Sequence, residues 1–138
     1  MNRDKIETVL KEHGLLKYEY RGIAKALSKI MNCNESIKVI FLTDGGYWIL
    51  MSRRIIIVSS GFLGHGASVD EVITHSQIER LYYNINKRFF SSSMELKIKL
   101  KKEKTRTYKV NSSYNFDYIA KAIDNLKYAK SRRKKRKS

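Results

Sequence analysis

With 138 residues, 42% of them hydrophobic and 30% charged, the chain has room for one domain around one modest core. Its formal net charge of +16 points to polyanionic partners, nucleic acid or an anionic membrane surface, and half of that excess lies in Lys127–Ser138. No apolar run approaches the ~18 residues that a bilayer-spanning helix needs, and a single cysteine, Cys33, excludes an internal disulfide.

The opening MNRDKIETVLKEHG lacks the apolar core of a secretory signal. With the lone cysteine, this makes the cytoplasm the expected location. Ile6, Val9 and Leu10 recur at helical spacing over Asp4–His13, and Gly14 is a plausible stop. A second helix is expected over about Tyr20–Met31, where Ile23, Ala26, Leu27, Ile30 and Met31 form one apolar face. The period then changes. Ile37–Leu42, Tyr47–Met51 and Arg54–Ser59 read as strands, with Asp44-Gly45-Gly46 and Ser52-Arg53 as turns between them. Gly61, Gly64 and Gly66 mark an irregular loop. Val69–Thr74 and Ile78–Ile85 are further strands. Met94–Leu100 alternates most cleanly: Met94, Leu96, Ile98 and Leu100 to one face, Glu95, Lys97, Lys99 and Lys101 to the other. A turn at Lys102–Lys104 folds it onto Thr105–Val110. Ser112 or Ser113 is expected to cap a last helix, about Tyr114–Tyr128, with Phe116, Ile119, Ala120, Ile123 and Leu126 as its stripe. Short connections between about seven strands imply antiparallel neighbours, and the last helix is a natural plug for one end of the sheet's core.

Three stretches resemble a known family. Trp48-Ile-Leu-Met-Ser-Arg-Arg-Ile-Ile-Ile-Val58 is similar to a hairpin of bacterial, YokE-like pleckstrin-homology proteins: an apolar strand, a polar turn ending in Arg, a second apolar strand. Gly61-Phe62-Leu63-Gly64 resembles the loop that follows, and Val72-Ile73-Thr74-His75-Ser76-Gln77-Ile78 the segment that opens the fifth strand. The resemblance covers roughly Ser36–Lys127. It implies a bent antiparallel sheet or partly open barrel of about seven strands with a C-terminal capping helix; with the two N-terminal helices read from their periodicity, the expected fold is α+β. On this reading residues 1–34 are a helical segment, 35–129 the pleckstrin-homology-like domain and 130–138 a basic tail, disordered when free. The family implies a binding scaffold without chemistry. Its lipid-binding members use basic residues around the loop between the first two strands; here that loop, Asp44-Gly45-Gly46, has none.

The residues themselves offer three candidate contacts with polyanions. Lys130, Arg132, Arg133, Lys134, Lys135, Arg136 and Lys137 form an acid-free run that suits phosphates, because this attraction needs charge more than geometry. The alternatives for this run are a solubilising tail or a transport address. Lys97, Lys99 and Lys101 share a sheet face, with Lys109 nearby if the hairpin turns at Lys102–Lys104; the alternative is an ordinary solvated face. Tyr82-Tyr83-Asn84-Ile85-Asn86-Lys87-Arg88-Phe89-Phe90 interleaves rings with cations Lys87 and Arg88, as single-strand binders do. The alternative is that strand alternation sends half the rings to the core and that Phe89 and Phe90 are packed under the loop.

Catalytic and metal patterns are missing from the sequence. His13, His65 and His75 fall in three different elements, one cysteine builds no Cys/His zinc site, and Asp70-Glu71 is the one adjacent acid pair. No GxxxxGK[ST] loop or nucleophile elbow is present. The expectation is a non-enzymatic adaptor with no metal, cofactor or small-molecule substrate. Its expected partner is nucleic acid, DNA or RNA, or a nucleic-acid-associated complex. Peripheral association with an anionic membrane, or a protein–protein regulatory module with an acidic partner in a bacterium or phage, stay open.

Overall fold

The computed structural model describes residues 1–59 and 66–126. Among these, three α-helices and seven strands follow the expected order: α1 (Arg3–Glu12), α2 (Lys17–Ser28), β1 (Ile37–Thr43), β2 (Gly46–Met51), β3 (Arg54–Ser59), β4 (Ser68–Thr74), β5 (Ile78–Lys87), β6 (Ser92–Leu100), β7 (Arg106–Lys109) and α3 (Phe116–Asp124). The strands form a four-stranded sheet, β1-β2-β3-β4, and a three-stranded sheet, β5-β6-β7. The chain divides into two compact units, Met1–Ile40 with Gly46–Val72, and Phe41–Gly45 with Ile73–Ser138.

In the first unit, the Asn2 side chain caps α1 by accepting from the Asp4 N–H at 2.7 Å, and Gly14 ends the turn after it at φ +88°. The second helix starts at Lys17, ahead of its first buried residue, Ile23. That first turn has no apolar period to betray it. It is held instead by Glu19, whose carboxylate accepts from the Leu16 N–H at 3.1 Å and from the Tyr47 hydroxyl. Cys33 is exposed. Strands β2 and β3 pair antiparallel from Tyr47↔Val58 to Leu50↔Ile55. Trp48 through Met51 and Ile55 through Val58 are buried without alternation, the pattern of strands covered on both faces. At the start of β3, Arg54 donates through Nε and Nη2 to the two Glu35 oxygens at 2.8 and 2.6 Å, and through Nη2 to the Ile30 carbonyl at 2.6 Å.

Gly46 opens β2 at φ +115°, and a Cβ there would stand 2.8 Å from the Val58 carbonyl oxygen. Only glycine fits both conditions. Gly46→Ala is expected to cost about 2–3 kcal/mol of stability. The check is a lower urea midpoint with an unchanged m-value; an unmoved midpoint contradicts the argument.

In the second unit, β6 pairs antiparallel with β5 and with β7, and Met94, Leu96, Ile98 and Leu100 are all buried, as the alternation predicts. Strand β5 carries a register shift: Ile78 faces Leu100, and Arg80 faces Lys99. Glu79 is the extra residue of a bulge, and it reverses the phase of the strand. Ile78 and Leu81 are therefore buried while Arg80 is exposed. The last helix is capped by Asn115, which accepts from the Tyr118 N–H at 3.1 Å. The expected caps do other work: Ser113 donates from N–H and hydroxyl to the Asn111 side chain at 3.0 and 2.7 Å. Ile119, Ala120, Ile123 and Leu126 are buried, and the Tyr83 hydroxyl donates to Asp124 at 2.8 Å, tying α3 to β5. The helix ends at Asp124; its expected extension beyond Leu126 lies outside the described residues.

Candidate nucleic-acid interface

The register of the three-stranded sheet assembles a cationic face. Lys97 lies between Tyr82 on β5 and Thr107 on β7; Lys99 pairs with Arg80, and Glu95 lies between Asn84 and Lys109. Neighbours across strands are ~4.8 Å apart and same-face neighbours along a strand ~6.7 Å. Four cations thus share one surface: Arg80, Lys97, Lys99 and Lys109. Arg80 also stands over the Tyr82 ring, its guanidinium carbon 6.0 Å from the centroid. Two acids temper the face. Glu95 is one, and Glu79, delivered by the bulge, pairs with Lys99 at 3.0 Å. Such partly exposed pairs contribute about 0.2–1 kcal/mol and leave the cation able to exchange partners.

Lys101 follows β6, exposed in the turn where Glu103 N–H donates to the Leu100 carbonyl at 3.1 Å. It extends the row by one position rather than sitting on the strand. Lys87 and Arg88 lie at the far end of the β5–β6 hairpin. Lys87 pairs opposite Ser92, so they are about 17 Å along the strand from Lys97. An exposed pair with Asp117 at 3.7 Å engages Lys87 weakly. The predicted sheet residues therefore form a row and a separate tip cluster. Lys130, Arg132, Arg133, Lys134, Lys135, Arg136 and Lys137 lie outside the described residues, as does Gly61-Phe62-Leu63-Gly64.

The tip differs most from expectation. Arg88 N–H donates to the Ser91 carbonyl at 2.8 Å, closing a tight turn with Phe89 and Phe90 at its centre. Rather than packing under the loop, each is 93% exposed. Their rings meet edge to face, centroids 4.7 Å apart at 76°. Tyr82 and Tyr83 are half-buried. A groove of about 470 Å³ is lined by Ser91, Ser92, Ser93, Asn111, Ser112, Lys109, Thr43 and Asp44, with Leu42 and Val110.

The turn between β1 and β2 is tied to β7. The Asp44 N–H donates to the Lys109 carbonyl at 3.0 Å, and its carboxylate accepts from the Lys109 N–H at 3.0 Å. The Tyr108 ring fills the space beside Gly45, so that any Cβ there would lie 2.5 Å from it. Burial pushes His13 and His75 below the ordinary imidazole value, so neither adds charge at pH 7. Among the described residues no group of three His, Cys, Asp or Glu side chains converges as a metal site, and no helix is long and apolar enough to cross a membrane.

No protein-family model matches the chain, and no curated protein matches it. Solved structures do. One is the crystal structure of a pleckstrin homology domain from Shewanella amazonensis SB2B, 21% identical, with a TM-score of 0.57 over 78% of this chain and 95% of that one. Another is a DUF1696 family protein with a pleckstrin-homology domain from Shewanella loihica PV-4, 19% identical, with a TM-score of 0.58 over 78% of this chain and 90% of that one. Identity at this level speaks to architecture: the chain has an α+β, pleckstrin-homology-like fold built on antiparallel sheets.

Proposed function

We propose that the chain is a non-catalytic, cytoplasmic adaptor related to the bacterial YokE-like proteins. It holds nucleic acid, alone or within a nucleic-acid-associated complex, on the solvent face of β5-β6-β7 and on its basic C-terminal segment. The observation behind this reading is the shared face of Arg80, Lys97, Lys99 and Lys109 in a chain of net charge +16. A row of cations a few ångströms apart suits a polymer whose charges are themselves regularly spaced. The closed Asp44-Gly45 turn argues against a lipid headgroup at the position used by lipid-binding relatives of the fold.

The test replaces Lys97, Lys99 and Lys109 together by Gln and follows binding of a labelled oligonucleotide by fluorescence anisotropy across a salt series. Loss of three phosphate contacts is expected to flatten the slope of log K against log salt by about 2 on single strands. These side chains lie on the solvent side, so thermal unfolding should stay put. Equal slopes for variant and parent exclude this face as the contact surface.

A further inference from the structure

We propose that the nucleic acid held by this face is single-stranded, and that Phe89 and Phe90 stack against its bases. This rests on the reading of the cationic face given above and adds the chemical form of the ligand. Two phenyl rings, each 93% exposed at the centre of a hydrogen-bonded turn, bury nothing in the fold. Their edge-to-face arrangement leaves an open π surface on both. Stacking on such rings tolerates any sequence, because every base has a π face.

The approach to the tip suits the same ligand. After the bulge, the residues of β5 on the cationic face run Arg80, half-buried Tyr82, Asn84 and Asn86, then Arg88 at the turn: cation, ring, two amides, cation. Phosphates, bases and base edges each find a partner along it. From Arg80 to the tip this path is about 30 Å. That is room for several nucleotides, within the ~4–16 that comparable single-strand grooves accept.

Two competitors fit less of this surface. A duplex keeps its bases stacked inside and offers the rings nothing. A bilayer would admit the rings and neutralise Lys87 and Arg88. With the tip inserted, though, Lys97 would stand about 17 Å up the strand, beyond the ~8 Å reach of surface potential at physiological salt. An extended single strand engages row and tip together.

The experiment uses the full chain with a labelled single strand of about 20 nucleotides, long enough to span the site. The same strand annealed to its complement, and vesicles of anionic lipid, are the other two ligands. The variants are Phe89→Ala/Phe90→Ala and Phe89→Leu/Phe90→Leu; leucine keeps an apolar wedge but cannot stack. Both are expected to weaken single-strand binding about 30-fold or more, with the salt slope and duplex binding unchanged. Parent-like single-strand affinity in both variants overturns the stacking assignment and leaves the cationic face standing. A parent chain that ignores both oligonucleotides at low salt removes the underlying reading as well. Vesicle capture retained by the leucine variant and lost by the alanine one, with single-strand binding unmoved, assigns the tip to bilayers and overturns the proposal.

Discussion

Deleting Lys130–Ser138 is expected to change the salt dependence of nucleic-acid binding more than any other alteration to the chain. The segment holds seven Lys/Arg and no acid. Each phosphate contact adds about 0.7 to the slope of log K against log salt on single strands, and about 0.9 on duplex. The truncated protein should therefore show plots flatter by about 5 and about 6 respectively. Between 50 and 200 mM salt, the full chain should lose about 1,000-fold more single-strand affinity than the truncated one. The comparison with the sheet is informative, since three lysines there are worth a slope of about 2. A segment that only keeps the protein soluble, or only addresses it, would leave the plots superimposed, and that outcome would end its role in binding.

Arg54→Ala should have the largest effect on the fold. Its guanidinium spans both Glu35 oxygens and the Ile30 carbonyl, and the two side chains are only 18% and 14% exposed. Truncating Arg54 strands a largely covered carboxylate and a carbonyl, at a cost of about 3 kcal/mol, the lower end for breaking a buried pair because some solvent reaches this one. The Arg54 hydrogen bond, against the opposing effect of burial, holds the Glu35 carboxyl below its ordinary 4.5; the Asn32 N–H assists. A depressed carboxyl pKa means that the unfolded chain takes up the proton first. The contribution of Glu35 is thus complete above its ordinary value and is lost as the pH falls through the folded one. Urea midpoints measured from neutral pH to about 3 should fall more steeply in the parent than in Arg54→Ala. His13 and His75, held low by burial, also destabilise the fold as the pH drops below 6.5, but equally in both proteins. Parallel curves would mean that Glu35 owes nothing to Arg54.

The order of helices and strands was legible because it rests on periodicity. Met94–Leu100 alternates in the sequence and alternates in burial, and the unbroken apolar stretches of β2 and β3 mark strands covered on both sides. What escaped has local causes. The first turn of α2 contains no buried residue to mark it. The cap of α3 fell to Asn115 over two nearby serines, a choice made by backbone geometry among equally good capping residues. Arg80 was missed as a member of this face because counting by twos from buried Ile78 sends it inward; the bulge at Glu79 turns it out, and no composition signal marks a bulge without glycine. The shared face expected of Lys97, Lys99 and Lys109 appears because the hairpin aligns them without such a slip. The exposed rings at Phe89 and Phe90 contradict the expectation from hydrophobicity, which assigns large apolar side chains to the interior and is blind to the tip of a tight turn.

Bare phenyl rings at a hairpin tip also pose a colloidal problem. Sticky patches on separate copies would find one another in a crowded solution. Here every copy carries the same large excess of one sign, and like-charged particles keep their distance. The charge that would draw in a counter-ionic polymer, as proposed above, would also hold ligand-free copies apart.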